Sequence, residues 1–249
     1  MTAHHAAEPP GDRWRQRLPE EVRFWDDYVR TGGLEWPDEY QRRVDPDAPF
    51  VEQEILARLP ADATAPIRIL DVGAGPLTVL GTRVPGRVVE ITPIDPLADE
   101  YARILAHYGV HAPVPTRKSE GESIARQFNA GTFDFAYARN ALDHSRDPRS
   151  VICQMVQVVK PGGYVVLRHR PNEAVGAAYA GLHQWNFDVR GGRFVIWNEQ
   201  VRHDMSRVLW RRGDLTCHRD GEWLVCVVRR LTAAERARRS VTALFRRRW

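Results

Sequence analysis

The sequence is short of the residues that would mark a secreted, membrane-spanning or zinc-bound protein. Its 249 residues include 3 cysteines, Cys153, Cys217 and Cys226. They are too few and too scattered for a disulfide framework, and no Cys/His spacing suits a zinc site, so reduced thiols inside a core are expected. No apolar run approaches the roughly 18 residues of a membrane helix. The start, Met1 to Glu8, lacks both the basic flank and the apolar stretch of a secretory signal. A cytoplasmic protein without a membrane span is therefore expected. Lysine is nearly absent too: only Lys118 and Lys160 occur, so almost all positive charge is arginine.

What charge there is lies unevenly. The formal net charge is +4, yet residues 229–249 alone carry +7, eight arginines against Glu235, which leaves the rest of the chain at −3. In that tail Leu231, Ala234, Val241, Leu244 and Phe245 form a loose apolar stripe, so residues 231–249 read as a basic helix. Such a helix either docks on the domain or a second subunit, or meets RNA, DNA or anionic lipid by charge. The stripe, and the want of a recognisable nucleic-acid module, favour docking. The length suits one large α/β domain with attached elements. Oligomeric state is open, a homodimer being compatible.

Residues 1–12, with Pro9, Pro10 and Gly11, read as a disordered leader. Residues 13–60 read as a helical cap, because Trp14, Phe24, Trp25, Tyr28, Trp36 and Tyr40 recur near helical spacing, and a helix is expected over Pro49 to Leu59. A polar linker, Ala61 to Ala65, follows. Over 66–230 strands and helices alternate, the pattern of a parallel sheet covered on both faces. Strands are expected over Ile67–Val72, Val88–Ile94, Val114–Lys118, Phe133–Arg139 and Tyr164–His169. Helices are expected over Leu77–Thr82, Leu97–Tyr108, Ser123–Asn129 and Pro148–Val159. Residues 170–222 form an insertion on the substrate side, with Phe194–Trp197 β-rich and Val201–Arg207 helical; Trp223–Arg229 is β-rich again.

The first strand runs straight into Gly73-Ala74-Gly75-Pro76. Glycines allow a tight turn and leave no Cβ in a ligand's way, and N–H groups at a following helix start can receive an anion. Nicotinamide enzymes use a similar turn. In their G-x-G-x-x-G pattern, however, the third glycine falls at Thr78, and Pro76 follows the second directly, which disfavours a dinucleotide. At the end of the second strand Asp95, followed by Pro96, can accept hydrogen bonds from both ribose hydroxyls of an adenosine-containing ligand. It also suits a helix N-cap.

These residues carry a resemblance. Through ILDVGAGP, PIDP, FDFAYARNALDH (Phe133 to His144) and VVKPGGYVVL (Val158 to Leu167), in that order and spacing, the segment from Ile67 to about His169 resembles the core of class I S-adenosylmethionine-dependent methyltransferases. It covers about two fifths of the chain. The resemblance implies an α/β, doubly wound, seven-stranded, mostly parallel Rossmann-like sheet whose last strand is antiparallel, with cofactor across the carboxyl ends of strands one, two and four. It implies that Asp71, Gly73, Ala74, Gly75 and Pro76 surround the methionine part of S-adenosylmethionine and that Asp95 and Pro96 hold the ribose. Glu120, beside Gly121, would meet the adenine amino group, with Glu122 as the alternative. Arg139, Asn140 and Ala141 would lie beside the sulfonium.

Methyl transfer from a sulfonium is an in-line displacement, so few catalytic groups are needed beyond a base for a protonated acceptor. Three histidines follow strand ends or sit in the insertion. His183, within Gly181 to Phe187, is favoured as the base; His144 and His169 are the other candidates, with structural roles open to both. Trp185 and Asn186 would supply an apolar wall and a directional contact, and Trp36, Tyr40 and Arg43 of the cap could close over the ligands. No metal is expected, since Asp143, Asn172 and Glu173 have no ligand spacing. The leading function is methylation of a small-molecule or sugar acceptor, at oxygen, carboxylate included, more than nitrogen. The runner-up is an RNA or DNA methyltransferase using the arginine-rich tail, although strand four lacks an Asn/Asp-Pro-Pro-aromatic signature. A cofactor-binding partner protein without catalysis is the third reading.

Overall fold

Strand β1 (Ile67–Val72) buries every side chain but Arg68, the near-continuous apolar pattern of a strand covered on both faces. The computed structural model, which describes residues 10–60 and 65–246, places it centrally. It pairs in parallel with β2 (Val89–Asp95) and β4 (Phe133–Arg139). Outward from β2 lies the short β3 (Arg117–Lys118). Outward from β4 lie β5 (Val159–His169), then β10 (Trp223–Arg230) and β9 (Gly213–Asp220). The seven-stranded order is β3-β2-β1-β4-β5-β10-β9, and β10 runs antiparallel to both its neighbours.

Crossover helices α4 (Ala98–His107), the one-turn α5 (Ile124–Gln127) and α6 (Pro148–Val158) connect these strands. Asp147 caps α6 by accepting from Ser150 N, and Val151, Ile152, Met155 and Val158 on one face of the helix enter the main core. On the amino-terminal side α1 (Pro10–Thr31) and α2 (Pro37–Val44) pack Tyr28, Val29 and Tyr40 against Leu97, Tyr101 and Leu105, so the cap is built onto the sheet through α4. α3 (Gln53–Leu56) is a single turn.

After β5 the one-turn α7 (Glu173–Gly176) leads into a second sheet of β6 (Asn186–Arg190), β7 (Arg193–Trp197) and β8 (Arg202–Asp204), followed by α8 (Met205–Leu209). Trp185, Phe187, Phe194, Ile196 and Met205 share one hydrophobic cluster with Ile152, Leu167 and Leu224. The insertion is thus part of the core. α9 (Ala233–Arg246) closes the described chain. No helix among the described residues is long and apolar enough to cross a membrane.

Several expected elements differ. No helix forms over Leu77–Thr82: Leu80 O accepts from Val51 N, Thr82 N donates to Ala48 O, and Thr78 Oγ1 bonds Asp71. Long-range partners satisfy the backbone there, so the glycine turn opens no helix. The same bonds, with Phe50 N to Arg83 O, hold residues 48–51 extended and shorten the helix expected over Pro49–Leu59 to α3. Helix Ser123–Asn129 becomes a 3₁₀ turn at Gly121–Ser123 plus α5, and strand Val114–Lys118 shrinks to β3. In Val201–Arg207 the residues Arg202–Asp204 pair with β7, and the helix begins only at Met205, capped by Asp204. Phe194–Trp197 belongs to the second sheet, not to the main one.

Residues 10–12 of the expected leader lie in α1, while residues 1–9, the linker residues 61–64, and residues 247–249 fall outside the described residues. So do the side chains of Val241, Leu244 and Phe245 in the expected apolar stripe. Cys217 and Cys226 were expected as free thiols, but they stand directly opposite each other on β9 and β10 and are joined as a disulfide. Cys153 is free.

Phe187 is buried, its ring centroid 4.2 Å from that of His169 and 6.1 Å from that of Phe194. Phe187→Ala should cost about 3–5 kcal/mol of global stability, because the cavity opens in the shared core. Chemical denaturation should show one transition shifted as a whole. Loss confined to residues 186–204 by hydrogen exchange would mean that the insertion is an independent flap.

Candidate active site

The carboxyl ends of β1, β2 and β4 open onto a cavity of about 660 Å³, the edge of an open α/β sheet where ligands are expected. α1 and α2 wall it on one side, and the chain at Gly181–His183 on another. Its floor is the glycine turn. Gly73 and Gly75 adopt φ of +71° and +64°, the left-handed region. A Cβ on Gly73 would lie 2.4 Å from Ala141 Cβ, and one on Gly75 would lie 2.7 Å from the Trp25 ring. The turn is therefore held between the β4 loop and α1, with no room for side chains.

Two buried carboxylates anchor this floor. Asp71 accepts from Thr78 Oγ1 at 2.6 Å, and burial lifts its pKa to about 6. Asp95 accepts from Leu97 N at 3.0 Å on one oxygen and from Gly75 N at 3.2 Å on the other, and burial lifts it to about 7. Each Asp95 oxygen keeps a second lone pair, so the group fits a ligand that donates two hydroxyls. The residues present thus suit an adenosyl ligand: a floor without side chains, a diol acceptor beside it, and a cavity of sufficient volume.

Ala74, Pro96, Glu120, Gly121, Glu122, Arg139, Asn140 and Ala141 also line the cavity, whereas Pro76 is buried in the turn and does not. Glu120 pairs with the Arg146 guanidinium through Oε2, and Glu122 accepts from Arg146 N and Asp147 N through Oε1, so each is engaged through one oxygen. Arg139 points to Glu39 at 2.9 Å, and Asn140 accepts from Arg170 N. Trp36 and Arg43 line the cavity. Arg43 is engaged with Glu39 and with Leu77 O at 2.9 Å.

Besides Pro76, four expected site residues lie elsewhere. Tyr40 is buried edge-on against Tyr28. Trp185 is in the core, its Nε1 donating to Ser145 O, and Asn186 is fully buried, bonded to Val175 N, Tyr179 Oη and Trp197 O. His169 is buried and stacked on Phe187, and burial lowers its pKa to about 4. Period and polarity could not separate an inward from a cavity-facing position in the cap, at the end of β5 or in the insertion, where the pairing of Asn186–Arg190 with Phe194–Trp197 was not foreseen.

The other two histidines meet. His183 Nδ1 lies 2.7 Å from Asp143 Oδ2 and 3.1 Å from His144 Nε2, which is itself 3.4 Å from Asp143 Oδ2. Burial alone would raise the Asp143 carboxyl, but the two imidazoles outweigh it and hold it below its usual range. Burial alone would lower His183, but the bond and charge of Asp143 leave it above the ordinary imidazole value. Asp143 is 1% exposed and sits behind the histidines, which line the cavity. Glu21 Oε2 of α1 lies 3.6 Å from His144 Nδ1, and Trp14 Nε1 donates to His144 O at 2.8 Å. Glu21, Glu39 and the orienting role of Asp143 were missed by sequence reasoning. Only the Glu21/Trp25 spacing of four hinted at the first.

A model of a methyltransferase domain matches residues 40–213. A ubiquinone biosynthesis O-methyltransferase of Albidiferax ferrireducens is 28% identical over 154 residues, 55% of this chain and 60% of that protein. Its counterpart from Xanthomonas campestris is 27% identical over 184 residues, 65% of this chain and 76% of the relative. One from Bordetella avium is 33% identical over 100 residues, or 39% and 40%. The matched chain thus spans less than two thirds of the Albidiferax and Bordetella proteins. Among solved structures, an O-methyltransferase family protein from Burkholderia thailandensis shares the fold, with a TM-score of 0.51, 15% identity, and coverage of 92% of this chain and 64% of that one.

The raised Asp95 pKa has a consequence for binding. Its folded value of about 7 exceeds the ordinary carboxyl value, so the native protein holds this proton and loses the associated stability as pH rises toward about 7. Accepting ribose hydroxyls favours the ionised form. Cofactor binding should therefore release a proton below about pH 7 and tighten as pH rises through it. Asp95→Asn should weaken binding about 10–100-fold and abolish that dependence, as read by calorimetry in buffers of differing ionisation enthalpy. Unchanged affinity would exclude Asp95 from the site. With glycine floor, strand-end carboxylates and a family match over residues 40–213, the chain belongs to the methyltransferase-domain family.

Proposed function

We propose that the chain methylates an oxygen of a small-molecule acceptor, and that the acceptor loses its proton at the Asp143–His144–His183 cluster. The observation that carries this reading is the His183–Asp143 pair in the wall of the cavity that contains the glycine floor. The O-methyltransferase names of the relatives support it.

S-adenosylmethionine supplies a methyl group on a sulfonium, which requires an aligned nucleophile in a dry site. Asp95, with Pro96 beside it, would accept the ribose hydroxyls; Asp71, Gly73, Ala74 and Gly75 would surround the methionine part; and Glu120, with Gly121 and Glu122, would meet the adenine. Arg139, Asn140 and Ala141 lie toward the reacting end. Arg43, held by Glu39, adds positive potential there. His183 donates its Nδ1–H to Asp143 Oδ2, so its Nε2 lone pair takes the acceptor's proton while the carboxylate stabilises the imidazolium. Trp36 and Phe24 cover the site as apolar walls.

Nucleic-acid methylation is less well supported. Arg229 is spent on Asp214 and Glu235, Arg230 on Gln157 O and Val159 O, and Arg239 on Asp214 and Trp210 O. The beginning of the basic helix therefore docks on its own domain.

Incubation with methyl-labelled cofactor and fractionated extract should place label on small molecules, in a bond to oxygen. Label entering only RNA or protein would overturn the reading. His183→Ala should lower kcat about 10²–10⁴-fold with cofactor affinity intact. Because Asp143 raises His183, the rate should climb with pH through a value above that of ordinary imidazole, and Asp143→Asn should shift that limb to lower pH.

A further inference from the structure

We propose that Asp143 Oδ2, His144 Nε2 and His183 Nδ1 are the protein ligands of a divalent transition-metal ion. The inference rests on reading this wall as the acceptor side of the cavity; with the ion bound, it is the ion rather than His183 Nε2 that would make the acceptor oxygen nucleophilic, by lowering its pKa so that the proton leaves to solvent before the methyl group is transferred.

The three atoms are mutually 2.7, 3.1 and 3.4 Å apart. Three cis ligands about 2.1 Å from one ion are about 3 Å from each other, so the triangle already has the dimensions of one face of a coordination shell. Hydrogen bonding accounts for it less well. A proton on His183 Nδ1 has two acceptors to serve, and Asp143 Oδ1, buried, has no hydrogen-bond partner among the described residues.

The surroundings match a metal centre. A ligating imidazole commonly turns its other nitrogen to a carboxylate, and His144 Nδ1 faces Glu21 at 3.6 Å, the residue α1 contributes to the wall. With Asp143 behind and both histidines on the cavity surface, the remaining coordination positions face the cavity. Two imidazoles and one carboxylate suit zinc, iron(II), cobalt(II) or manganese(II) better than calcium or magnesium, and leave positions for an acceptor that chelates through adjacent oxygens. Residues 143 and 144 are adjacent, but the third ligand lies 39 residues further on, outside any zinc-type spacing. That is why the sequence showed no metal site.

The full chain, stripped with chelator, should be titrated with cobalt(II). A saturable visible ligand-field band at one ion per chain is expected. It should be lost in His144→Ala and His183→Ala and kept in His107→Ala, each checked for folding by circular dichroism. Glu21→Gln, which leaves all three ligands in place, should weaken cobalt binding about 10–100-fold. No saturable band in the wild-type chain, or a band that survives both histidine variants, would overturn the site. Full oxygen methylation by chelator-treated enzyme without a band would likewise overturn the ion and leave the histidine base standing. A cobalt band without methyl transfer to any oxygen acceptor would sustain the metal site and overturn the proposed function.

Discussion

The close approach of Gly73 to Ala141 is the constraint on which the site depends. A Cβ on Gly73 would meet that of Ala141 at 2.4 Å, so the turn after β1 and the loop after β4 touch backbone to side chain with nothing between them. This contact sets the depth of the floor and the direction in which residues 140–145 leave the sheet. Asn140 takes a φ of +45° as the chain turns away, and the next residues form the 3₁₀ turn that carries Asp143 and His144. The glycine floor and the turn that carries Asp143 and His144 thereby form one packed piece, and a larger residue at either position would have to push them apart.

The amino-terminal cap is part of that piece. Trp25 seals the turn at Gly75, Trp14 bonds the carbonyl of His144, and Glu21 reaches the other face of the same histidine. One helix therefore touches the floor and the chemical cluster. Arg43 and Arg139 share Glu39, which ties the second cap helix to the end of β4. Burial of charge in this region is offset by pairing, as it must be in a partly closed cavity.

Much of the architecture was legible. The apolar run of β1, its glycine turn and the carboxylate at Asp95 are local signals, and the strand-end position of each follows from pattern alone. The failures have a common cause. Residues 77–82 look helical, but their backbone is satisfied by residues 48–51; residues 202–204 look helical, but they complete a sheet with β7. In both places a long-range partner outweighed local preference. Cys217 and Cys226, nine residues apart, read as separate thiols until the β9–β10 register set them face to face.

The histidines show the same division. By itself the sequence determined the glycine turn and the strand-end acid: both are encoded within short segments whose chemistry does not depend on distant residues. It also marked His144 and His183 as candidates, because each follows a recognisable landmark. Only the tertiary structure decided that these two converge on Asp143 while His169, equally polar and equally close to a strand end, stacks on Phe187 in the core. The reason is geometric. Side chains 39 residues apart meet only when an insertion folds back across the sheet edge, and no periodicity in either segment encodes that return.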